Sequence, residues 1–379
     1  MNDLDDTQQE MIGLLEKLVN IDSGSDFKEG VDKVGSILKK EYESIGFTCE
    51  SVQEDKVGDH LILKHHSAEK PSILLIAHMD TVFKEGTAKE RPFYIKSNRA
   101  YGPGVADMKG SQVTLLYAMK HLLKNSPESL EKVIILLNSD EEIGSASSRP
   151  IIEKLSKTVD YALVMEPARK DGSIVTSRRG GGTYKLEIRG KAAHSGVAPQ
   201  DGHSAIEEMG HKIVKLSELT NHDEGISINV GRVNGGEAVN VVPDTATLHV
   251  DVRVSNAEQS ETIEQQIEEI CATPDIKGTE IELSGGIRRP PMELDDENLE
   301  LLNIIQDVGE SLDIEVSHTH TGGGSDASFP SHLGVATVDG LGPVGGEMHS
   351  DKEYLEVDSI LERTELLAET IHNLTRRTH

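Results

Sequence analysis

Five short stretches of this chain stop an apolar or glycine-rich run at a side chain able to ligate a metal or handle a proton. "ILLIAHMDTV" (73–82) leads five residues suited to a buried strand into His78 and Asp80. Read as structure, the histidine is a hydrogen-bonded strand end and the aspartate starts a turn. Read as chemistry, His78 binds a metal through one ring nitrogen and Asp80 fixes the imidazole from behind. "GPGVADMKG" (102–110) sets Asp107 ahead of a helix, an N-cap position that also stabilises the anion a metal-binding oxygen must be. "NSDEEIGS" (138–145) puts three acidic side chains directly after a buried strand. They repel one another unless a cation is present, a solvated acidic face being the alternative. Glu141 and Glu142 can divide two tasks, one ligating and the other, uncoordinated, accepting a proton from an attacking water. "MEPA" ends another apolar run at Glu166, and "GGEMHSDKEY" carries His349 in a glycine-rich loop. His78, Asp107, Glu142, Glu166 and His349 form a nitrogen and oxygen ligand set without cysteine, which suits Zn2+, Co2+ or Mn2+. Five ligands exceed what one catalytic zinc needs, so two ions sharing a bridging carboxylate account for the surplus.

The elements that must position these residues follow from periodicity. Helical spacing covers 7–19 and 30–45, with Met11, Leu14, Leu15 and Leu18 on one face of the first. It recurs over 109–123, with Val113, Leu116, Met119, Leu122 and Leu123 predicted to face inward. Strand-like runs fall at 60–64, 73–77, 133–138 and 162–165. Near-continuous apolar strands alternating with helices predict an α/β sheet covered on both faces, and such sheets collect ligands at the carboxyl ends of their strands. From about residue 179 the texture changes to alternating runs at 183–189, 226–233 and 245–254, helices at 204–219 and 258–271, and a short strand at 280–283. The order β-α-β-β-α-β is that of a ferredoxin-like unit. It closes at the junction "GGIRRPP", after which helices near 298–311 and 357–375 restore the first texture. The predicted organisation is a catalytic domain of residues 1–178 and 289–379 with an inserted α+β domain at 179–288.

The composition, 36% hydrophobic and 27% charged, is that of a globular protein. A formal net charge of −28 disfavours nucleic acid and anionic membrane as partners. The apolar runs are too short to span a bilayer, and the acidic start "MNDLDDTQQE" is unlike a signal peptide. Cys49 and Cys271 share no metal-type spacing and are expected to be buried thiols, which fits a reducing, cytoplasmic setting.

In this order, the motifs resemble the M20 family of dinuclear zinc peptidases and deacylases, above all its bacterial glutamate carboxypeptidase group. Supporting stretches are "DEEIGSASSRPII", "GKAAHSG", "AVNVVPDTATLHVDVR", "TGGGSDA" and "MHSDKEY". The resemblance implies an α/β zinc-peptidase domain with a mixed sheet covered by helices, and an inserted lid through which two copies form a homodimer. It implies two Zn2+, with Co2+ or Mn2+ as substitutes: His78 and Glu166 on one ion, Glu142 and His349 on the other, and Asp107 between them, followed by a cis peptide. It makes Glu141 the general base, Asp80 the residue behind His78, and His194 of "AAHSG" a donor to the oxyanion in the partner's site. Asn240, Arg253, Arg289 and Gly323 of the "TGGGSD" loop match substrate-contacting positions. The implied activity is a carboxypeptidase releasing a C-terminal amino acid, glutamate among the candidates, from small peptides or N-acyl amino acids. Alternatives are an N-acyl-amino-acid deacylase or aminotripeptidase of the same superfamily and, more remotely, a non-catalytic metal-binding scaffold. "EPARKDGSIVTSRRGGG" departs from the group's pattern for recognising an acidic side chain; Arg178 or Arg179 are the candidates to replace it.

Overall fold

The computed structural model describes residues 2–377, with side chains from Asp6 onward. Ten strands build the two principal sheets. β1 (Phe47–Val52), β2 (His60–His65), β3 (Ile73–His78), β4 (Val133–Asn138) and β5 (Tyr161–Val164) come first. β6 (Gly180–Arg189), β7 (Ser227–Gly235), β8 (Thr245–Val254) and β9 (Glu280–Arg289) follow, and β10 (Ala336–Val338) is last. The chain divides into two compact units, one of Met1–Ser177, Leu294–Thr321 and Ser325–His379, the other of Arg178–Glu293 and Gly322–Gly324.

The first unit is built on a mixed sheet of order β1-β2-β4-β3-β5-β10. β3 runs parallel to both β4 and β5, while β1 and β2 are antiparallel additions at one side. Every residue of β3 and β4 is buried, as continuous apolar runs covered on both faces must be. The covering helices include α1 (Asn2–Val19), α2 (Lys28–Ser44) and α3 (Ser111–Asn125). Met11, Leu15 and Leu18 of α1 are fully buried, as are Val113, Leu116 and Met119 of α3. Leu123 departs from expectation: it is 37% exposed, because the buried stripe of α3 closes with Leu122 and the next position turns outward.

The second unit is an antiparallel sheet of order β7-β8-β6-β9, carrying α4 (Ala205–Ser217) and α5 (Ala257–Ala272). Alternate residues of β8, Ala246 to Val254, are buried against Leu216, Ile263 and Ile267. Ser204 and Asn256 cap the two helices, accepting from the backbone N–H of Glu207 and Gln259. The β-α-β-β-α-β reading therefore holds. Its last strand is longer than its apolar pattern suggests, because "GGIRR" continues β9 to Arg289 rather than forming a loop. Gly285 lies at φ +105° and packs so closely on β6 that an added Cβ would sit 2.1 Å from the Thr183 carbonyl oxygen. Here glycine serves sheet packing, not a hinge. Cys271 is buried and Cys49 partly exposed; both thiols are free. Among the described residues no helix is long and apolar enough to cross a membrane.

Candidate active site

Parallel pairing brings the site together. His78, the last residue of β3, lies abreast of Asn138, the last of β4, and Ile76 lies abreast of Val164, the last of β5. Side chains just past these ends therefore share one edge of the sheet: His78, the acidic run 140–142 and Glu166. Asp107 enters from the tight turn Val105–Gly110 that precedes α3. Its backbone is non-helical and the Asp107–Met108 peptide is cis, so the residue is not a helix cap. His349 arrives from the loop after the short strand Gly345–Gly346.

Two groups of potential ligands result, His78–Asp107–Glu166 and Asp107–Glu142–His349, with their ligand atoms within 4.8 Å of one another. Asp107 belongs to both. Its Oδ1 lies 3.1 Å from His78 Nε2 and its Oδ2 lies 3.2 Å from His349 Nε2. His78 Nε2 is 3.6 Å from Glu166 Oε1, and His349 Nε2 is 3.3 Å from Glu142 Oε2. Donor atoms about 2.0–2.1 Å from a tetrahedral ion stand about 3.3 Å apart, so this spacing fits ligands around a metal. The electrostatics agree. Burial pushes the Glu142 and Glu166 carboxyls up, Glu166 well above its usual range, with the nearby Asp107 charge adding to it. Hydrogen bonds to Asp107 and Glu142 push His349 up to about 10. Burial would lower His78, but Asp107, Asp80 and Glu166 outweigh it and hold the imidazole well above its ordinary value. Burial likewise opposes ionisation of Asp107, and the two histidines overcome it and hold the carboxyl well below the usual range. Three carboxyl groups crowd around two imidazoles in a largely buried cluster, an arrangement suited to cations.

Asp80 is fully buried and has a broader task than the one expected. The His78 ring meets it first through the backbone, Nδ1 lying 2.9 Å from the Asp80 carbonyl and 3.5 Å from the carboxylate. That carboxylate accepts from the backbone N–H of Glu141 at 3.3 Å and of Glu142 at 3.2 Å, and from the Ser25 hydroxyl at 2.7 Å. It thus fixes the loop bearing the acidic pair. Glu141 lies in neither ligand group, yet its charge is felt at Glu166.

Several supporting residues escaped the sequence reading. Buried Glu353 accepts backbone N–H groups from the loop carrying Asp107, and the Lys109 ammonium donates to the Ile21 and Pro103 carbonyls. Asp326 accepts from Asn138 and from Ser145, tying the end of "TGGGSD" beneath the acidic loop. Glu353 and Lys109 sit inside quoted motifs, "MHSDKEY" and "DMKG", and proximity to a ligand was the one signal available.

The remaining expected residues lie in the second unit. His194 is exposed, and its Nδ1 accepts from the Gly196 N–H at 3.1 Å, which places the neutral ring's proton on Nε2. Exposed Asn240 is beside it, its carbonyl accepting from the Ser195 N–H at 3.0 Å. Arg253 and Arg289 both pair with Gly181, from opposite sides, on one face of the sheet. The fork of Arg253 is taken by Asp251, with bonds of 3.0 and 3.1 Å. Arg289 packs its stem on Gly324, where an added Cβ would meet it at 2.9 Å. Arg178 is only 4% exposed and donates to the Gly323 carbonyl at 2.9 Å, so it buttresses this loop.

Comparison with known proteins agrees with this geometry. The model of "Peptidase family M20/M25/M40" matches residues 74–373. Carboxypeptidase G2 of Pseudomonas sp. (strain RS-16) is 30% identical over 377 residues, covering 97% of this chain and 90% of that one. In fold, the chain is similar to aminopeptidase PepT from Bacillus cereus ATCC 10987, with a TM-score of 0.78 and 23% identity, covering 97% of this chain and 99% of that one. It is also similar to the Bacillus subtilis YXEP protein, described as a dinuclear metal binding peptidase, with a TM-score of 0.72 and 18% identity over 98% and 99% of the two chains. A family match spanning both units, over a site of paired metal-ligand groups, establishes that the chain belongs to peptidase family M20/M25/M40 and is a metallopeptidase.

Proposed function

We propose that the protein is a dinuclear zinc carboxypeptidase of the cytoplasm, releasing a C-terminal amino acid from small peptides or N-acyl amino acids. The observation that carries this reading is the Asp107 carboxylate, with one oxygen toward His78 and the other toward His349. On this reading, His78, Asp107 and Glu166 hold one Zn2+ and Asp107, Glu142 and His349 the other, Co2+ or Mn2+ being substitutes. Bound there, the ions supply Lewis acidity that polarises the scissile carbonyl and activates a water. Glu141, outside both ligand groups on a loop pinned by Asp80, takes the proton from the attacking water and returns it to the leaving amine.

His194, presented by the lid of a partner copy in a homodimer, donates its Nε2–H to the developing oxyanion. The assignment of residues 179–288 as that lid and dimerisation domain is part of the proposal. Arg289 and the loop through Gly323 hold the substrate's terminal carboxylate. Asn240 lies beside His194 to contact the substrate, and Arg253 contributes by sharing its fork with Asp251.

The test is hydrolysis of a matched panel of amides by the Zn2+-loaded protein, with products identified by mass. Free-carboxylate substrates of varied C-terminal residue, glutamate included, are paired with amidated forms. Cleavage that requires the carboxylate and releases one C-terminal residue supports the reading; indifference to it points to an aminopeptidase and removes the roles of Arg253, Arg289 and Gly323. Glu141→Gln should keep both ions and lose turnover by 100-fold or more, on the order of a general base's contribution. Full activity in that variant overturns the assignment of the base.

A further inference from the structure

Glu353 is 2% exposed and has no part in either ligand group. Its carboxylate gathers three backbone donors: the Gly104 N–H at 3.1 Å on Oε2, and the Ala106 N–H at 2.9 Å and Asp107 N–H at 3.0 Å on Oε1. A carboxylate taken out of water needs such a set of donors, and here the donors are the loop that delivers Asp107. At its other end Glu353 is fixed by its place in the chain. The following residue, Tyr354, opens a strand paired with Tyr101, and the Glu353 N–H reaches back to the Ser350 carbonyl at 3.4 Å, closing the turn Ser350–Glu353 that directly follows His349. One buried side chain therefore spans two segments about which the sequence says nothing jointly: the Asp107 loop and the His349 loop.

We propose that Glu353 is the positioning residue that sets Asp107 against His349, so that occupancy of the Asp107–Glu142–His349 group depends on it. The inference rests on the dinuclear reading. The two groups are not equally exposed to its loss. Asp107 serves both groups, but its partners in the first, His78 at the end of buried β3 and Glu166 just past the end of parallel β5, are placed by the sheet and not by Glu353. His349 stands on a loop at φ +61°, and its distance to Asp107 is set across the Glu353 bridge. Replacing one carboxylate oxygen by an amide group turns an acceptor toward an N–H donor, so E353Q cannot hold all three donors.

The full chain, stripped with a chelator, is titrated with Zn2+ by calorimetry beside E353Q, E353D and E356Q. Glu356 ends the strand that Tyr354 opens, three residues after Glu353, but pairs with Arg99 at 2.8 Å, away from the ligand groups, and serves as the control. Wild type and E356Q are expected to take up two ions. E353Q is expected to keep the first affinity within a few-fold and to bind the second ion about 10- to 100-fold more weakly, the range for lost outer-shell partners. E353D keeps the charge on a shorter arm and should fall between. Two unchanged steps in E353Q overturn the inference alone, as does an equal weakening of both steps, which marks a general loosening. If E353Q does not fold, E353D decides by the same criteria. A wild-type chain that takes up no Zn2+ overturns the dinuclear reading, and this inference with it.

Discussion

Replacing Asp80 by asparagine separates two ways in which this residue can serve the site. If its carboxylate acts by orienting His78, the variant loses metal. If it acts by holding the Glu141–Glu142 loop, the variant keeps metal and loses turnover. Geometry favours the second. His78 Nδ1 is 2.9 Å from the Asp80 backbone carbonyl, which asparagine retains, and 3.5 Å from the carboxylate it loses. The carboxylate instead receives the N–H groups of Glu141 and Glu142. In Asp80→Asn one acceptor becomes an NH2 group, which must face either the Glu141 N–H or the Ser25 and Glu142 donors. A hydrogen bond to a charged group contributes about 1.5–3 kcal/mol. Losing one and opposing two donors costs about 2–3 kcal/mol, or roughly 30- to 150-fold in rate if the loss falls on the placement of Glu141. The assay is kcat and KM on the preferred substrate at saturating Zn2+, together with metal content after gel filtration. We expect kcat to fall by that factor, with KM within a few-fold and two ions retained. An Asp80→Asn protein that loses an ion but has wild-type kcat once excess Zn2+ restores it would refute the reasoning and return Asp80 to the His78 ring.

Other outcomes follow from the same contacts. His349, raised from 6.5 to about 10 by Asp107 and Glu142, carries a proton in the metal-free protein at neutral pH, His78 is shifted in the same direction, and a protonated imidazole cannot ligate. Zn2+ uptake at pH 7 should therefore release protons, seen as a buffer-dependent binding enthalpy, and affinity should rise with pH toward 10. By linkage, groups with raised folded-state pKa values stabilise the metal-free chain fully below the unfolded histidine value of 6.5, and this is lost as pH rises through about 10. The Tm of chelator-treated protein should fall across that window while the Zn2+-loaded protein holds; parallel curves would sink the idea. In the second unit, buried Lys212 holds Glu208 at 3.1 Å, Asp275 at 2.8 Å and the Thr273 carbonyl at 2.7 Å. Lys212→Ala leaves Glu208 Oε1 without its partner while Oε2 keeps the Ile276 N–H and the Thr279 hydroxyl, and should cost this unit about 3 kcal/mol by denaturant titration, a loss under 1 kcal/mol being incompatible with the account.

The sequence by itself determined most of the elements and singled out the residues of the two candidate ligand groups. Apolar runs such as 73–77 and 133–137 leave no choice but buried strands, and a polar side chain that interrupts such a run must emerge at its end. That logic delivered His78, the acidic run and Glu166 to one sheet edge, and alternation gave the second unit its succession of strands and helices along the chain. Where local pattern and packing part, the sequence misled: Leu123 turns outward although apolar, and Gly285 and Gly286 continue β9 although they read as the start of the junction back to the first unit. Tertiary structure alone decided how the fixed residues serve one another. Asp80 turned out to grip the Glu141–Glu142 loop, Arg253 to be engaged by Asp251, and Glu353 to hold the Asp107 loop from 246 positions away. A glutamate that anchors buried amides and one that faces water are the same letter in a chain with 66 acidic residues. Periodicity reports which face of an element is buried. It carries no record of which distant backbone N–H groups will converge on a given carboxylate, because that is set by how separate segments return to a common edge.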